Sequence, residues 1–286
     1  MADTMVFACR ARRRRYHSGA RAANLRGIGS GGILRAMQND KMASDGRRPG
    51  NGGGGFPPIR RFAVGAFDEN AYLVDCGDGI AALVDPGADA ALLAEAVRSS
   101  GLRLAAVLLT HGHLDHVSAV PALLSAFPGV PVRLAQADSA WCWTVRNYFP
   151  PYEPVLAPPA TLLTVADGDV FAVGLVRFRV LATPGHSPGS VCYAASFARD
   201  DGGREVLFSG DTLFAASVGR TDFEGGDPAA MTRSLRRLAD LAPDTPVLPG
   251  HGPATTIARE TAGNPWVVQA LAAAAANDGT SAAETP

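Results

Sequence analysis

The chain has 286 residues, of which 47% are hydrophobic, and a formal net charge of −1. This composition suffices for a sizeable core, and no apolar run reaches the roughly 18–20 residues of a membrane-spanning helix, so we expect a globular chain without a membrane partner. Residues 1–61 hold 12 Arg and one Lys against three Asp, whereas the remainder carries 13 basic and 24 acidic side chains. An acidic body argues against a nucleic-acid partner, because phosphate binding requires a cationic face.

The composition of residues 1–57 predicts a disordered leader. Eight Arg and no acidic residue occur between Thr4 and Asn39, and such a segment cannot bury enough apolar surface to fold. Arg-rich, acid-poor leaders are typical of transit peptides, which would direct the protein to a plastid or mitochondrion. The alternative is an upstream extension with no targeting role, in which case we expect a cytoplasmic protein. We expect the catalytic domain at 58–263 and a C-terminal helix and tail at 264–286.

Hydrophobic periodicity in the rest of the chain predicts a mixed α/β domain. The predicted strands are residues 61–64, 70–76, 79–84, 104–109, 130–135, 161–165, 170–173, 176–181, 190–194, 205–208 and 245–248. The predicted helices are residues 88–100, 117–127, 138–148, 229–241 and 265–276, the second of them interrupted near Pro121. Five Pro residues predict a loop at 148–159. Trp141, Trp143 and Tyr148 are expected to belong to the core or to a lid, with a substrate-binding cluster as the alternative.

A cluster of polar, titratable side chains follows one buried predicted strand, in the sequence THGHLDHV at 110–117. It holds His111, His113, Asp115 and His116, and imidazoles are costly as core filling. Side chains alternate on extended backbone, so the two first His can face one point while the Asp and the third His begin the next helix. The alternative is helix capping, but a cap does not require three His. The cluster therefore predicts a metal site.

Three distant residues of the same chemical types also follow predicted strands. They are His186 in ATPGHSPGS, Asp211 in FSGDTLF and His251 in LPGHGP. Each has a neighbouring Gly, which allows backbone to approach a crowded centre. Strand ends converge on one edge of a sheet, and six or seven N and O ligands suit two ions better than one tetrahedral ion.

These motifs resemble those of the metallo-β-lactamase superfamily, over about residues 61–263. The resemblance rests on four motifs in order: HGHLDH, the PGH at His186, the GD at Asp211 and the GH at His251. It implies an α/β fold, a four-layer αββα sandwich with metals at one edge. By motif position it implies His111, His113 and His186 as ligands of a first metal, Asp115, His116 and His251 as ligands of a second, and Asp211 as the bridge.

Two longer stretches, GDTLFAASVGRTDFEGGD and LPGHGPATTIARE, are similar to those of short, single-domain glyoxalase II-like hydrolases. That resemblance implies a small-molecule thioester substrate such as S-lactoylglutathione. Longer glyoxalase II enzymes carry a helical domain that contacts glutathione, whereas 35 residues follow His251 here, so a glutathione-linked substrate stays open. The alternative is a persulfide dioxygenase, which shares the fold and a similar GRTD stretch but uses one iron, bound by two His and one Asp.

The expected mechanism follows from two divalent cations, which lower the pKa of bound water and so provide a hydroxide for attack on the thioester carbonyl. We expect Asp115 to orient that hydroxide as the catalytic residue. Zinc is the first choice of metal, although mixed imidazole and carboxylate ligands also suit iron and manganese. Arg220 is a candidate for a substrate carboxylate or for a loop contact with Asp222. Asp85 either bonds metal ligands or caps a turn.

Overall fold

The computed structural model of the protein describes residues 59–197 and 204–281. The leader predicted at residues 1–57 lies outside the described residues, and transit-peptide function stays a prediction. No helix in the described part of the chain is long and apolar enough to cross a membrane.

The first sheet contains six strands in sequence order. They are β1 Ile59–Val64, β2 Glu69–Asp75, β3 Ile80–Val84, β4 Arg103–Leu108, β5 Val132–Ala135 and β6 Leu162–Val165. The first three strands pair antiparallel, and β3 to β6 pair parallel. The β2–β3 turn uses Gly77, Asp78 and Gly79, all with positive φ. Because parallel strands run the same way, the ends of β3 and β4 share one edge.

The second sheet also contains six strands. They are β7 Val170–Val173, β8 Val176–Ala182, β9 Val191–Phe197, β10 Arg204–Gly210, β11 Pro246–Pro249 and β12 Thr255–Thr256. Their spatial order is β12, β11, β10, β9, β8, β7, and only the β10–β11 pair is parallel. The eleven predicted strands are all present, β7 with the predicted bounds and the others with shifted ends, while β12 was not predicted.

Helices lie against both sheets. They are α1 Ala90–Ser100, α2 Leu114–Val117, α3 Val120–Ala126, α4 Gln136–Ser139, α5 Pro228–Ala239, α6 Ile257–Gly263 and α7 Pro265–Ser281. The Asp227 carboxylate caps α5 by accepting hydrogen bonds from the amides of Ala229 and Ala230, and Pro228 occupies the first helical position, where its missing N–H costs nothing.

Three apolar layers confirm the four-layer αββα sandwich. One core lies between the first sheet and helices α1 and α3 and includes Leu83 and Leu93. A second core, which includes Phe178, fills the space between the two sheets. A third lies between the second sheet and helices α5 and α7 and includes Leu207 and Leu235. Neighbouring residues of one strand enter different cores, because successive side chains point to opposite faces.

Two helix predictions require correction. The continuous helix predicted at 138–148 is wrong: α4 ends at Ser139, and only a short 3₁₀ turn at Val145–Asn147 follows. The Asp138 side chain bonds to distant backbone amides instead, so tertiary contacts override local helix propensity. The helix predicted at 117–127 does have a break, but the break lies between α2 and α3 and not at Pro121, which occupies the first turn of α3.

Substitution Phe178→Ala tests the packing between the sheets. The Phe178 ring is fully buried and stacks on Phe171, so its removal should lower the free energy of unfolding by about 3–5 kcal/mol. Chemical denaturation followed by circular dichroism measures this change. Val170→Ala, at a largely exposed position of β7, is the control and should change stability by less than about 0.5 kcal/mol. Equal effects of both substitutions would contradict the assigned core.

Candidate metal centre

The HGHLDH motif spans a strand end, a loop and the first turn of a helix. His111 and His113 follow β4, and Asp115 and His116 lie in α2. His111 and His116 are buried, and the other two side chains are partly exposed. The backbone amide of His116 donates to the carbonyl of His113, which forms the turn that places both halves of the motif at one edge.

The three distant residues arrive from the second sheet. His186 lies in the loop after β8, Asp211 directly follows β10, and His251 follows β11. Gly250 permits the close approach of that last loop, because a Cβ there would collide with the Asp211 carboxylate and the His116 ring. The sheet edges therefore bring together side chains that are up to 140 residues apart in sequence.

The side chains form two neighbouring groups. In His111, His113 and His186, one nitrogen from each ring lies within 4.8 Å of the others. The same limit holds for one ligand atom each of Asp115, His116 and His251.

Asp211 lies between the two groups. Its Oδ1 is 3.3 Å from His116 Nε2, and its Oδ2 is 3.5 Å from His186 Nε2 and 3.6 Å from His251 Nε2. One carboxylate thus faces imidazoles of both groups. Two cations that share one carboxylate would require such a carboxylate between their ligand groups.

Outer hydrogen bonds orient the imidazole rings. His186 Nδ1 donates to the carbonyl of Arg220 at 2.7 Å, and His251 Nδ1 donates to the carbonyl of Phe67 at 3.2 Å. A carbonyl can only accept, so each Nδ1 carries a proton and each Nε2 is the nitrogen left to face the cluster. Such outer partners fix the tautomer of metal-binding histidines.

Asp85 orients the other two buried imidazoles. Its Oδ2 accepts hydrogen bonds from His116 Nδ1 at 3.1 Å and from Thr110 Oγ1 at 2.6 Å, and the threonine oxygen lies 3.1 Å from His111 Nδ1. The other carboxylate oxygen accepts from the backbone amide of Thr110. Of the two roles considered for Asp85, contact with the His residues is the one observed.

The electrostatics keep His111 and His113 neutral. Burial, reinforced by neighbouring imidazoles, lowers the pKa of His111 well below its ordinary value, and burial with His186 lowers that of His113 to about 4. For His116, burial alone would lower the pKa, but Asp211 and Asp115 raise it well above its ordinary value. A metal cation would take the place of that proton, because metal ligands must be deprotonated.

Several buried polar atoms have no hydrogen-bond partner within the described structure. His111 Nε2, His116 Nε2 and Asp211 Oδ1 are among them, and all three face the cluster interior. Leaving such atoms unpaired away from water costs free energy. Imidazole nitrogen and carboxylate oxygen are ligands that divalent transition metals accept, so the residues present fit a metal centre.

Comparisons with known proteins agree with this geometry. A family model described as the metallo-beta-lactamase superfamily matches residues 64–251. The chain belongs to the metallo-β-lactamase superfamily. The hydroxyacylglutathione hydrolase GloC of Haemophilus influenzae is 32% identical over 215 residues, which cover 73% of this chain and 97% of that protein. The family and this relative support a metal-dependent hydrolase.

Solved structures of the superfamily resemble the chain closely. The B3 metallo-β-lactamase BLEG-1 is 35% identical with a TM-score of 0.63, covering 73% of this chain and 99% of its own. TTHA1623, solved in a di-iron-bound form, is 38% identical with a TM-score of 0.60 (72% and 98% covered). ETHE1 from Myxococcus xanthus is 30% identical with a TM-score of 0.59 (74% and 85%).

The Asp138 side chain connects two loops that carry ligand candidates. Its carboxylate accepts hydrogen bonds from the backbone amides of Gly112 and Gly189 and from Ser187 Oγ, at 2.6–2.8 Å. These partners neighbour ligand candidates from both sheets. This role could not be predicted from sequence, because the two amide partners are 26 and 51 residues away from Asp138.

β2 holds the His251 loop from the opposite sheet. Asn70 Nδ2 donates to the carbonyls of Pro249 and Gly252, and the Tyr72 hydroxyl donates to the same Pro249 carbonyl. Glu69, at the start of β2, is fully buried with Oε1 3.7 Å from His116 Nδ1, and burial raises its pKa well above its ordinary value. None of these contacts was predicted from sequence.

A cavity of about 520 Å³ adjoins the superfamily motif residues. Asp115, Asp211, His113 and His186 line one side. The other lining residues come from 140–149, 188 and 223–225, with Leu114. Most of these are apolar or aromatic, which is typical of small-molecule sites.

The cavity bears on the predictions for the aromatic residues and for Arg220. Trp143 is buried, whereas Trp141 and Tyr148 line the cavity. Arg220 lies outside the lining and donates from Nε and Nη2 to both carboxylate oxygens of Asp222. The loop contact is thus the observed one, and a substrate role for Arg220 stays a prediction.

Substitution Asp138→Asn tests the tie between the two ligand-bearing loops. The amide keeps one acceptor oxygen and loses the second, so one buried backbone amide should lose its partner. We expect metal affinity to fall by about 10–100-fold, as for other residues that orient ligands. Metal content after dialysis against graded chelator measures it. Asp169→Asn, which alters an exposed carboxylate that also accepts from a backbone amide, should retain wild-type metal; equal loss in both variants would refute the assignment.

Proposed function

We propose that the protein is a dinuclear metal-dependent hydrolase that cleaves a small-molecule thioester, such as S-lactoylglutathione. The single observation that carries this proposal is the pair of ligand groups on either side of Asp211, with buried donor atoms that lack protein partners. The similarity to GloC supports the thioester class.

The proposed ligand sets follow the two groups. His111, His113 and His186 would hold the first ion, Asp115, His116 and His251 the second, and Asp211 would contact both. Zinc is the first choice, and iron or manganese would fit the same donors. When bound, such ions supply Lewis acidity and lower the pKa of water at the site.

Asp115 is the proposed catalytic residue. Its Oδ2 lies 3.3 Å from His251 Nε2, and its side chain also lines the cavity. Burial alone would raise its pKa, but His116 and the hydrogen bond from His251 lower it below its ordinary value. Asp115 is therefore ionised at neutral pH and can accept a hydrogen bond from the attacking water, orienting it towards a carbonyl carbon in the cavity.

Thioester chemistry suits this site because of the leaving group. A thiolate has a pKa of about 8.5, far below that of an amine, so it departs near neutral pH without a general acid. The backbone amides and carboxylates around the His residues are already committed to holding the ligand loops. A reaction that requires no additional proton donor therefore fits the described residues best.

A second candidate is a mononuclear-iron persulfide dioxygenase acting on glutathione persulfide. The GRTD stretch at Arg220, which is similar to that of these enzymes, supports it. The two candidates differ in metal count, in oxygen consumption and in substrate. The presence of two groups of potential ligands favours the hydrolase, because a single iron, whichever group it occupied, would leave the other group without a cation.

Elemental analysis of the purified full chain, with parallel activity assays, tests the proposal. We expect two divalent ions per chain, hydrolysis of a thioester in a panel that includes S-lactoylglutathione and a β-lactam, and no oxygen uptake with glutathione persulfide. One iron per chain, with oxygen uptake and no hydrolysis, would establish the dioxygenase instead. Cleavage of the β-lactam alone would reject the thioester class.

Asp211→Asn tests the shared carboxylate. Loss of its negative charge should reduce metal content and lower kcat/KM for the hydrolysed thioester by at least about 100-fold. Asp167→Asn, at a half-exposed carboxylate paired with Arg237, is the isosteric control and should match wild type in both measurements. Unchanged metal content in the Asp211 variant would remove the bridging assignment.

A further inference from the structure

The cavity beside the ligand groups has one strongly basic side chain among the residues described as lining it, Arg146. The lining also includes the carboxylates of Asp115 and Asp211. Most of the remaining lining is apolar or aromatic, with Trp141 and Phe223 packed against the His113 ring at centroid separations of 5.4 and 5.5 Å. The Asp211 side chain is 10% exposed and that of Arg146 is 65% exposed, so the guanidinium lies towards solvent and the ligand groups lie at the buried end.

Arg146 belongs to a turn that is bonded to the ligand loop. It lies in the 3₁₀ turn Val145–Asn147, whose last residue is buried. Asn147 Nδ2 donates to the carbonyls of Gly112 and Cys142, at 2.7 and 3.0 Å. Since Gly112 separates two ligand candidates, the turn carrying Arg146 is fastened directly to the reactive end.

The guanidinium pairs with an acidic residue of the same cavity. Arg146 Nη2 donates to Glu224 Oε1, and the two residues are 78 positions apart in sequence. Both side chains are exposed, at 65% and 73% of their surface. Ion pairs this exposed contribute little to stability, so an incoming carboxylate can replace Glu224 at low cost. A planar guanidinium binds a carboxylate through two parallel hydrogen bonds.

We propose that Arg146 selects substrates bearing a carboxylate at the end remote from the scissile bond, and that Glu224 is the internal competitor which the substrate displaces. This inference rests on the proposed thioester hydrolysis. The preferred substrate is an anionic thioester with an apolar or aromatic body, because the body contacts the aromatic walls while its carboxylate pairs with Arg146. An uncharged thioester of equal size binds more weakly because it leaves Glu224 in place.

Steady-state kinetics on matched substrates tests the selection. Two pairs of thioesters are used, and in each pair one compound carries a carboxylate where the other carries a carboxamide. In the first pair this group is on the thiol part, and in the second it is on the acyl part. In at least one pair, Arg146→Gln should raise KM for the carboxylate by roughly five- to tenfold, the size of one partly exposed charge-assisted contact, with kcat and the carboxamide KM within about twofold of wild type.

The competitor role makes the opposite prediction for the acidic partner. Glu224→Gln should lower KM for the same carboxylate substrate by about two- to fivefold, because the free guanidinium no longer has to exchange partners. The double variant should behave like Arg146→Gln. Arg179→Gln and Glu205→Gln break a partly exposed ion pair on the second sheet, outside the cavity lining, and should leave both KM values unchanged. A rise in KM for Glu224→Gln would overturn the competitor role.

A binding measurement separates this inference from the proposed function. Isothermal titration calorimetry of the full chain with 3-phenylpropanoate and 3-phenylpropanamide measures binding without any turnover. Tighter binding of the carboxylate than of the amide, with the difference lost in Arg146→Gln, supports selection by Arg146 even if none of the thioesters is hydrolysed. The absence of hydrolysis would count against the proposed function alone. Equal binding of both compounds, or a carboxylate preference that survives in Arg146→Gln, would overturn the selection by Arg146.

Discussion

The structure depends on confining five imidazoles and two carboxylates at the common edge of two sheets. Buried polar atoms without partners cost free energy, and His111, His116 and Asp211 each contribute one. Apolar layers on both sides of each sheet fix the strands and so offset that cost. A cation bound among these atoms would stabilise the folded state further, since the unfolded chain has no such site.

Orientation of the rings follows from contacts one step further out. Asp85 fixes His116 directly and His111 through Thr110, while backbone carbonyls fix His186 and His251. These outer bonds leave the Nε2 atoms of the buried rings turned inward. The centre is therefore preorganised by the polypeptide, and binding of an ion requires little rearrangement of its ligands.

The sequence predicts the side chains of the cluster better than it predicts the residues that hold their loops in place. The His and Asp motifs follow apolar strands, and convergence of strand ends is a rule of sheet geometry, so their meeting could be anticipated. Asp138 and Asn147 could not, because each acts through backbone groups far away along the chain. The same long-range bonds explain why the helix expected at 138–148 does not form. Local propensity describes one segment, whereas the bonds that decide its conformation belong to other loops.

Reactivity and selectivity arise from different parts of the chain. The ligand groups follow the strands of a fold that many relatives share, and fold alone does not determine substrate. The aromatic walls and the Arg146–Glu224 pair come from 140–149 and 223–225, which are connections between strands and helices. Such connections can change without disturbing the sheets. Proteins that share this fold can therefore differ in the residues that lie beside the ligand groups. In this chain, the connection 140–149 links selectivity to reactivity, because Asn147 bonds the turn that bears Arg146 to the loop between His111 and His113.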